Sequence, residues 1–129
     1  MEGYIGVAVA LTGGMLLLVI GIPLARRAIG PNRWYGYRIQ ATLENERIWY
    51  AVNAQTGRYL VVIGALLIFC GLVGLGALND PRQQEMLVAI CVVILALGLG
   101  YSIVSGYRTA REMPSPPATP PHGRGEDAA

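Results

Sequence analysis

Long uncharged stretches dominate this chain and alternate with shorter polar ones. Three of them, residues 4–25, 59–78 and 86–107, contain no Asp, Glu, Lys, Arg or His. Each is about 20 residues long, which is enough for a helix to cross a hydrocarbon core of roughly 30 Å. Because a chain in lipid must satisfy its own backbone hydrogen bonds, the pattern predicts three transmembrane α-helices. We therefore expect an all-α membrane protein with a single domain over residues 1–111.

The polar stretch between the first two spans contains a further helical pattern. Residues 42–53, "TLENERIWYAVN", begin with Thr42 as an N-cap and place Ile48 and Val52 on one face. This predicts a short amphipathic interfacial helix, lying against the membrane surface or against the underside of the bundle. Residues 55–57 are then expected to turn the chain into the second span.

The arginines are concentrated at one end of the predicted bundle. All 10 basic residues are arginines, and most lie in the loop over residues 26–58 or after residue 107. The turn between the second and third spans contains only Arg82. Cytoplasmic loops carry an excess of positive charge, so the N-terminus is expected outside a bacterial inner membrane, with this loop and the C-terminus in the cytosol. The basic pair Arg26–Arg27 follows the first apolar run instead of preceding it, which predicts a retained helix and not a cleaved signal peptide.

The C-terminal segment has a different composition from the rest of the chain. Residues 112–129 contain most of the 8 prolines and no apolar periodicity. Such a composition cannot build a packed core, so a disordered, Pro-rich cytosolic tail is predicted.

Overall composition narrows the classes of function. Hydrophobic residues make up 53% of the chain and charged residues 14%, which does not suit a soluble domain of this size. The net charge of +2 reflects the arginine asymmetry and gives no reason to expect nucleic-acid binding. Cys70 and Cys91 lie inside spans and are expected to be free, apolar side chains. With His122 as the only histidine, in the tail, neither a metal site nor another cofactor is predicted.

The spans also lack the groups that intramembrane chemistry requires. Enzymes and ion-coupled transporters need ionisable side chains at depth, and these three runs contain none. There is no nucleophile beside a histidine and no glycine-rich phosphate cradle opening a helix. A non-enzymatic protein without catalytic residues is expected.

Small residues recur along the predicted helices at spacings that allow close backbone approach. Two interpretations remain open: packing of the three helices on one another, or a surface for self-association or for a larger membrane complex. The predicted packing positions are Gly6, Ala10, Gly14, Gly64, Gly71, Gly98, Ser102 and Gly106.

The densest group of polar and aromatic residues is "NRWYGYRIQATLENERIWYAVN", residues 32–53. Its aromatic side chains suit a membrane interface and its arginines suit lipid phosphates, so anchoring alone could explain it. The alternative is a contact surface for a protein partner or for lipid headgroups. The residues predicted for that surface are Asn32, Arg33, Trp34, Gly36, Arg38, Thr42, Glu46, Trp49 and Asn53.

The spacing of Asn32, Gly36, Arg38, Trp49 and Asn53 resembles the signature of the SdpI/YfhL family of bacterial membrane proteins, with a Thr at position 42. In that family an Asn-aromatic-Gly-aromatic-Arg turn follows a helix and precedes two further membrane helices. The chain departs from the family at Ile39–Gln40, where a Thr-Pro pair is usual. The resemblance implies a binding role: protection of the producing cell from a secreted toxic peptide, or tethering of a transcriptional repressor at the membrane. The alternative is a small structural accessory subunit of a larger membrane complex.

Overall fold

The structure is a computed structural model that describes residues 2–76 and 79–114. These residues form four helices and no strand: α1 (Glu2–Ala25), α2 (Gln40–Glu44), α3 (Glu46–Leu75) and α4 (Pro81–Glu112). The helices α1, α3 and α4 are each long and apolar enough to cross a membrane. The predicted all-α class, with three helices able to span a membrane, is therefore confirmed. Of the tail predicted over residues 112–129, Glu112 is the last residue of α4, and the part from residue 115 onward lies outside the described residues.

The second spanning helix begins inside the loop, earlier than expected. α3 runs without interruption from Glu46 to Leu75, so the turn predicted at residues 55–57 is wrong. The helix predicted over residues 42–53 is not a separate element, because its C-terminal part forms about the first two turns of α3. The five-residue α2 precedes it. Asn45 ends α2 and caps α3, since its side-chain oxygen accepts the N–H of Arg47 at 2.9 Å.

α1 and α3 pack closely because glycines face each other along their contact. A Cβ added at Gly14 would lie 2.6 Å from the carbonyl oxygen of Gly64, and one at Gly21 would lie 2.8 Å from that of Gly57. These distances are too short for any side chain, so backbone meets backbone at both levels. Close approach of this kind favours association in lipid, where no hydrophobic drive exists between helices.

α4 packs mainly against α3 and less against α1. A Cβ at Gly98 would lie 2.7 Å from Ile63, Ser102 is buried, and a Cβ at Gly106 would lie 3.3 Å from Val52. The predicted packing positions in α1 and α3 likewise lie against other helices of the same chain: Gly6 beside Val88, Ala10 and Leu11 beside Gly71, and Gly14 beside Gly64. Gly13 differs, since a Cβ there would have no neighbour within 4 Å among the described residues.

The helix ends follow local capping rules. Asp80 caps α4 by accepting the N–H of Arg82 at 3.0 Å, and Pro81 occupies the first turn, where its missing N–H has no helical partner. α1 ends at Ala25, and the turn after it contains Arg27 at a φ of 57° and an N–H of Ala28 that donates to the carbonyl of Pro23 at 3.0 Å. The chain then enters the loop that carries the candidate site.

Candidate functional site

The loop between α1 and α2 folds back over the bundle and is fixed to all three long helices. The Tyr35 hydroxyl donates to the carbonyl of Ile20 in α1. The Tyr37 hydroxyl donates to the carbonyl of Ile103 in α4 at 2.8 Å. Burial raises the pKa of both phenols, so both remain neutral donors. The loop is therefore part of the folded bundle.

Asn53 on α3 holds the centre of the loop. Its side-chain oxygen accepts the Tyr37 N–H at 2.5 Å, and its amide group donates to the carbonyl of Trp49 at 3.0 Å and of Tyr37 at 3.4 Å. The side chain is only 2% exposed. An asparagine amide offers both donors and acceptors, so this one group can pair with both backbone groups of Tyr37.

Gly36 allows this close contact. Its φ is +107°, a conformation that side chains with a Cβ rarely adopt. A Cβ there would also lie closer than 3.0 Å to the Asn53 side-chain oxygen. Both the conformation and the space therefore require glycine at this position.

Thr42 and Trp49 fix the two ends of the loop, and neither is exposed. The Thr42 hydroxyl accepts the Ile39 N–H at 2.9 Å and is 3.0 Å from the Tyr37 carbonyl, to which it can donate. The Trp49 indole N–H donates to the carbonyl of Ile29 at 2.9 Å, soon after α1 ends. These pairs satisfy polar groups that burial would otherwise leave unpaired.

Asn32 shapes the tip of the loop. Its side-chain oxygen accepts the N–H groups of Trp34 at 2.9 Å and Tyr35 at 2.7 Å, while its amide donates to the Gly30 carbonyl at 2.9 Å. An Asx turn of this kind fixes the backbone without help from neighbouring elements. The half-buried Asn32 therefore has a local structural role.

The predicted contact surface needs correction at three residues, which are buried and therefore not accessible to a partner. Thr42, Trp49 and Asn53 are exposed by 2% or less and act inside the chain as described above. The predicted charged residues Arg33, Arg38 and Glu46 are exposed, whereas Asn32 is half-buried. We call the exposed group Arg33, Trp34 and Arg38 the loop face, in which the Arg38 guanidinium donates to the Arg33 carbonyl.

Trp34 is the most exposed large hydrophobic side chain described, at 92%. Its backbone is nevertheless held by Asn32. Glu46 is also exposed but lies on the first turn of α3, outside the loop between α1 and α2. The sequence indicates only that Tyr35 and Tyr37 suit a membrane interface. Their hydroxyl bonds to helix carbonyls depend on the tertiary fold. The one local signal for a structural role is that both tyrosines flank Gly36.

The site offers little to a catalytic interpretation. The described residues contain no group of three or more His, Cys, Asp or Glu side chains that could hold a metal ion. Cys70 and Cys91 are both free thiols on the spanning helices, away from the loop. The site's chemistry is that of hydrogen bonding, guanidinium charge and an exposed indole.

The chain is similar to known proteins from the loop between α1 and α2 onward. Residues 28–105 match the family model described as the SdpI/YfhL protein family, which covers the loop, α3 and most of α4. The uncharacterised protein YfhL of Bacillus subtilis (strain 168) is 29% identical over 90 residues, covering 67% of this chain and 79% of the relative. No solved structure is significantly similar to the chain. The resemblance predicted from the loop is confirmed, and the chain belongs to the SdpI/YfhL family of membrane proteins.

Proposed function

We propose that this protein acts without catalysis, by binding a protein partner through the loop face. The observation that carries the proposal is Trp34, which is 92% exposed on a loop whose neighbouring residues are hydrogen-bonded in place. Trp and Arg side chains supply much of the binding energy at protein interfaces, and the loop face combines them. A loop fixed before binding also loses less conformational entropy when the partner arrives.

The arginine distribution supports a cytosolic partner. Arg33 and Arg38 lie at the end of the bundle that carries most of the arginines, which by the positive-inside rule faces the cytosol. The family resemblance implies two binding roles, tethering of a regulator and immunity to a toxic peptide. A cytosolic loop face suits the tethering of a regulator, so this is the role we propose first.

Site-directed photo-crosslinking in intact membranes tests this proposal. A photoreactive residue at position 34 is expected to capture a specific protein, whereas the same residue at Tyr4, 62% exposed at the other end of the bundle, is not. The captured protein is then identified, and its membrane-bound fraction is measured in cells carrying Trp34→Ala or the control Tyr4→Ala. We expect Trp34→Ala to release it into the soluble fraction and Tyr4→Ala to leave it bound.

Two outcomes would reject a partner at the loop face. One is that position 34 crosslinks only to lipid, which would make Trp34 an interfacial anchor. The other is an unchanged membrane-bound fraction in Trp34→Ala when the variant inserts at normal levels. Trp49→Ala is unsuitable for this test, because the loss of the buried indole would unfold the loop and mimic the loss of a partner.

A structural accessory subunit of a larger membrane complex is the second candidate. It is favoured by an apolar groove of about 530 Å³ between α1 and α4, with Leu67 of α3 in its lining and Gly13 on its wall. A Cβ at Gly13 would meet nothing within 4 Å among the described residues, so Gly13→Leu adds bulk on the groove wall, whereas a Cβ at Gly14 already meets α3 and Gly14→Leu would force α1 from α3. If Gly13→Leu leaves the native size of the assembly unchanged on gel filtration in mild detergent, this candidate fails.

A further inference from the structure

A second polar region lies on the side of α3 turned away from the loop. Gln55 follows Asn53 by two positions, which places their side chains about 200° apart around the helix. The Gln55 amide donates to the Ser105 hydroxyl at 2.7 Å, and its oxygen accepts the Thr109 hydroxyl at 2.6 Å. The Tyr59 hydroxyl lies 3.4 Å from that of Ser105. The region therefore joins α3 to α4 with hydrogen bonds that the loop does not use.

Two clefts adjoin this region and share Gln55 and Tyr59 in their linings. The first has a volume of about 400 Å³ and is also lined by Arg27, in the turn after α1, and Arg58, on α3. The second has a volume of about 270 Å³ and extends to α4, where its lining includes Arg108. Arginines from the turn after α1, from α3 and from α4 therefore line the clefts around one pair of polar side chains.

The two clefts differ in charge. The first carries two guanidinium groups, Arg27 and Arg58, and none of the described residues that line it is acidic. The second carries Arg108 together with Glu112, so its formal charge is balanced. Guanidinium pairs suit a phosphate, whereas a balanced cleft rich in hydroxyl groups suits an uncharged polar group.

Hydrogen-bonding capacity remains in the second cleft. Only one of the Tyr59 and Ser105 hydroxyls can donate to the other, so one O–H between them is available to a ligand. The Thr109 hydroxyl donates to Gln55 and keeps its lone pairs free to accept. Donors and acceptors are thus both present for a hydroxylated group.

The position of these clefts along the helices identifies the source of the ligand. Arg27, Arg58 and Arg108 lie at the ends of the three uncharged runs, where the hydrocarbon core gives way to the headgroup layer. Phospholipid phosphates occupy that layer. A lipid is therefore the occupant that meets these groups at the depth where they lie.

We propose that the two clefts together bind one phospholipid whose headgroup combines a single phosphodiester with free hydroxyls, the chemistry of phosphatidylglycerol. Arg27 and Arg58 hold the phosphate, and Tyr59 and Ser105 meet the headgroup hydroxyls. This site lies on a different side of α3 from the loop face and does not depend on the proposed partner.

Native mass spectrometry of the full chain tests the site. The protein is released from mixed micelles containing phosphatidylglycerol and phosphatidylcholine, and the bound lipid is counted for wild type, Arg58→Gln and Arg47→Gln. Both arginines are exposed on α3, but Arg58 lines the first of the two clefts and Arg47 lines neither. We expect phosphatidylglycerol affinity to fall about tenfold in Arg58→Gln, as for loss of one charge-assisted hydrogen bond, and to stay unchanged in Arg47→Gln.

A second variant addresses the hydroxyl groups and does not depend on charge. Phosphatidylethanol carries one phosphodiester and no headgroup hydroxyl, so wild type should prefer phosphatidylglycerol over it, and Tyr59→Phe should reduce that preference. Because the readout is a ratio of two lipids on one protein, partial unfolding does not imitate it. Four outcomes would each overturn the assignment. Two concern the phosphate: equal losses of affinity in Arg58→Gln and Arg47→Gln, or displacement of the lipid by excess inorganic phosphate. Two concern the headgroup: no preference for phosphatidylglycerol over phosphatidylethanol, or tighter binding of the two-phosphate lipid cardiolipin.

Discussion

The contact between α1 and α3 can be tested by adding a single methyl group. A Cβ at Gly14 would lie 2.6 Å from the carbonyl oxygen of Gly64 and 2.7 Å from a side-chain carbon of Ile68. Favourable non-bonded contacts need about 3.5 Å, so Gly14→Ala must push the helices apart by roughly 1 Å. Overpacking of this kind costs about 1–3 kcal/mol.

Gly13 provides a matched control in the neighbouring position. Gly13→Ala introduces the same methyl group and the same change in helix propensity, but meets nothing within 4 Å among the described residues. The difference between the two variants therefore isolates packing between α1 and α3. We expect Gly14→Ala to be less stable than Gly13→Ala by about 1–3 kcal/mol.

The assay is reversible unfolding by sodium dodecyl sulphate in mixed micelles, followed by the fluorescence of Trp49. A Trp34→Phe background removes the other tryptophan, which is exposed. The midpoint for Gly14→Ala should fall below that for Gly13→Ala. If the two variants unfold at the same midpoint, the close contact at Gly14 does not hold α1 against α3, and the packing described here is refuted.

The loop supports three further predictions, each of which includes a change in stability measured by the same unfolding assay. Gly36→Ala should destabilise the fold by about 1–3 kcal/mol because of its positive φ and the nearby Asn53 oxygen, and wild-type stability would contradict the described turn. Asn53→Leu should leave the Tyr37 N–H unpaired, cost about 1–3 kcal/mol, and speed hydrogen exchange at that amide; unchanged exchange would exclude the bond. Burial raises the pKa of Tyr35 and Tyr37 above their ordinary value of 10.0, so the folded state holds these protons more tightly than the unfolded state. The contribution of these two phenols to the free energy of unfolding should be constant below pH 10 and lost as the pH rises through their folded-state pKa values. A stability that rises from pH 9 to pH 11 would contradict this.

The membrane-spanning helices could be predicted from sequence because lipid imposes a simple rule on length and charge. The start of α3 could not be predicted in this way. The uncharged run ends at Arg58, which marks the limit of the apolar stretch but not the end of the helix. α3 continues back to Glu46 because Trp49, Val52 and Asn53 keep a buried face turned towards the loop and the other helices.

The sequence predicts that the loop residues group together, but it does not predict which of their side chains are exposed. Trp34 and Trp49 have the same side chain and both suit a membrane interface from composition alone. One is 92% exposed and the other 0%, because the loop returns over α3 and covers only Trp49. This difference arises from contacts between residues far apart in sequence. Local patterns therefore cannot provide it.

The uninterrupted α3 also has a mechanical consequence. Its 30 residues form a rod of about 45 Å, held against α1 by backbone contacts at both Gly64 and Gly57. These two contacts lie about 10 Å apart along α3, so together they fix the tilt of the helix against α1 as well as its position. Because α3 is uninterrupted, its part from Glu46 to Gly57 follows the same direction and carries Asn53. The glycine contacts between α1 and α3 thus also set where Asn53 lies, and with it the loop that Asn53 holds.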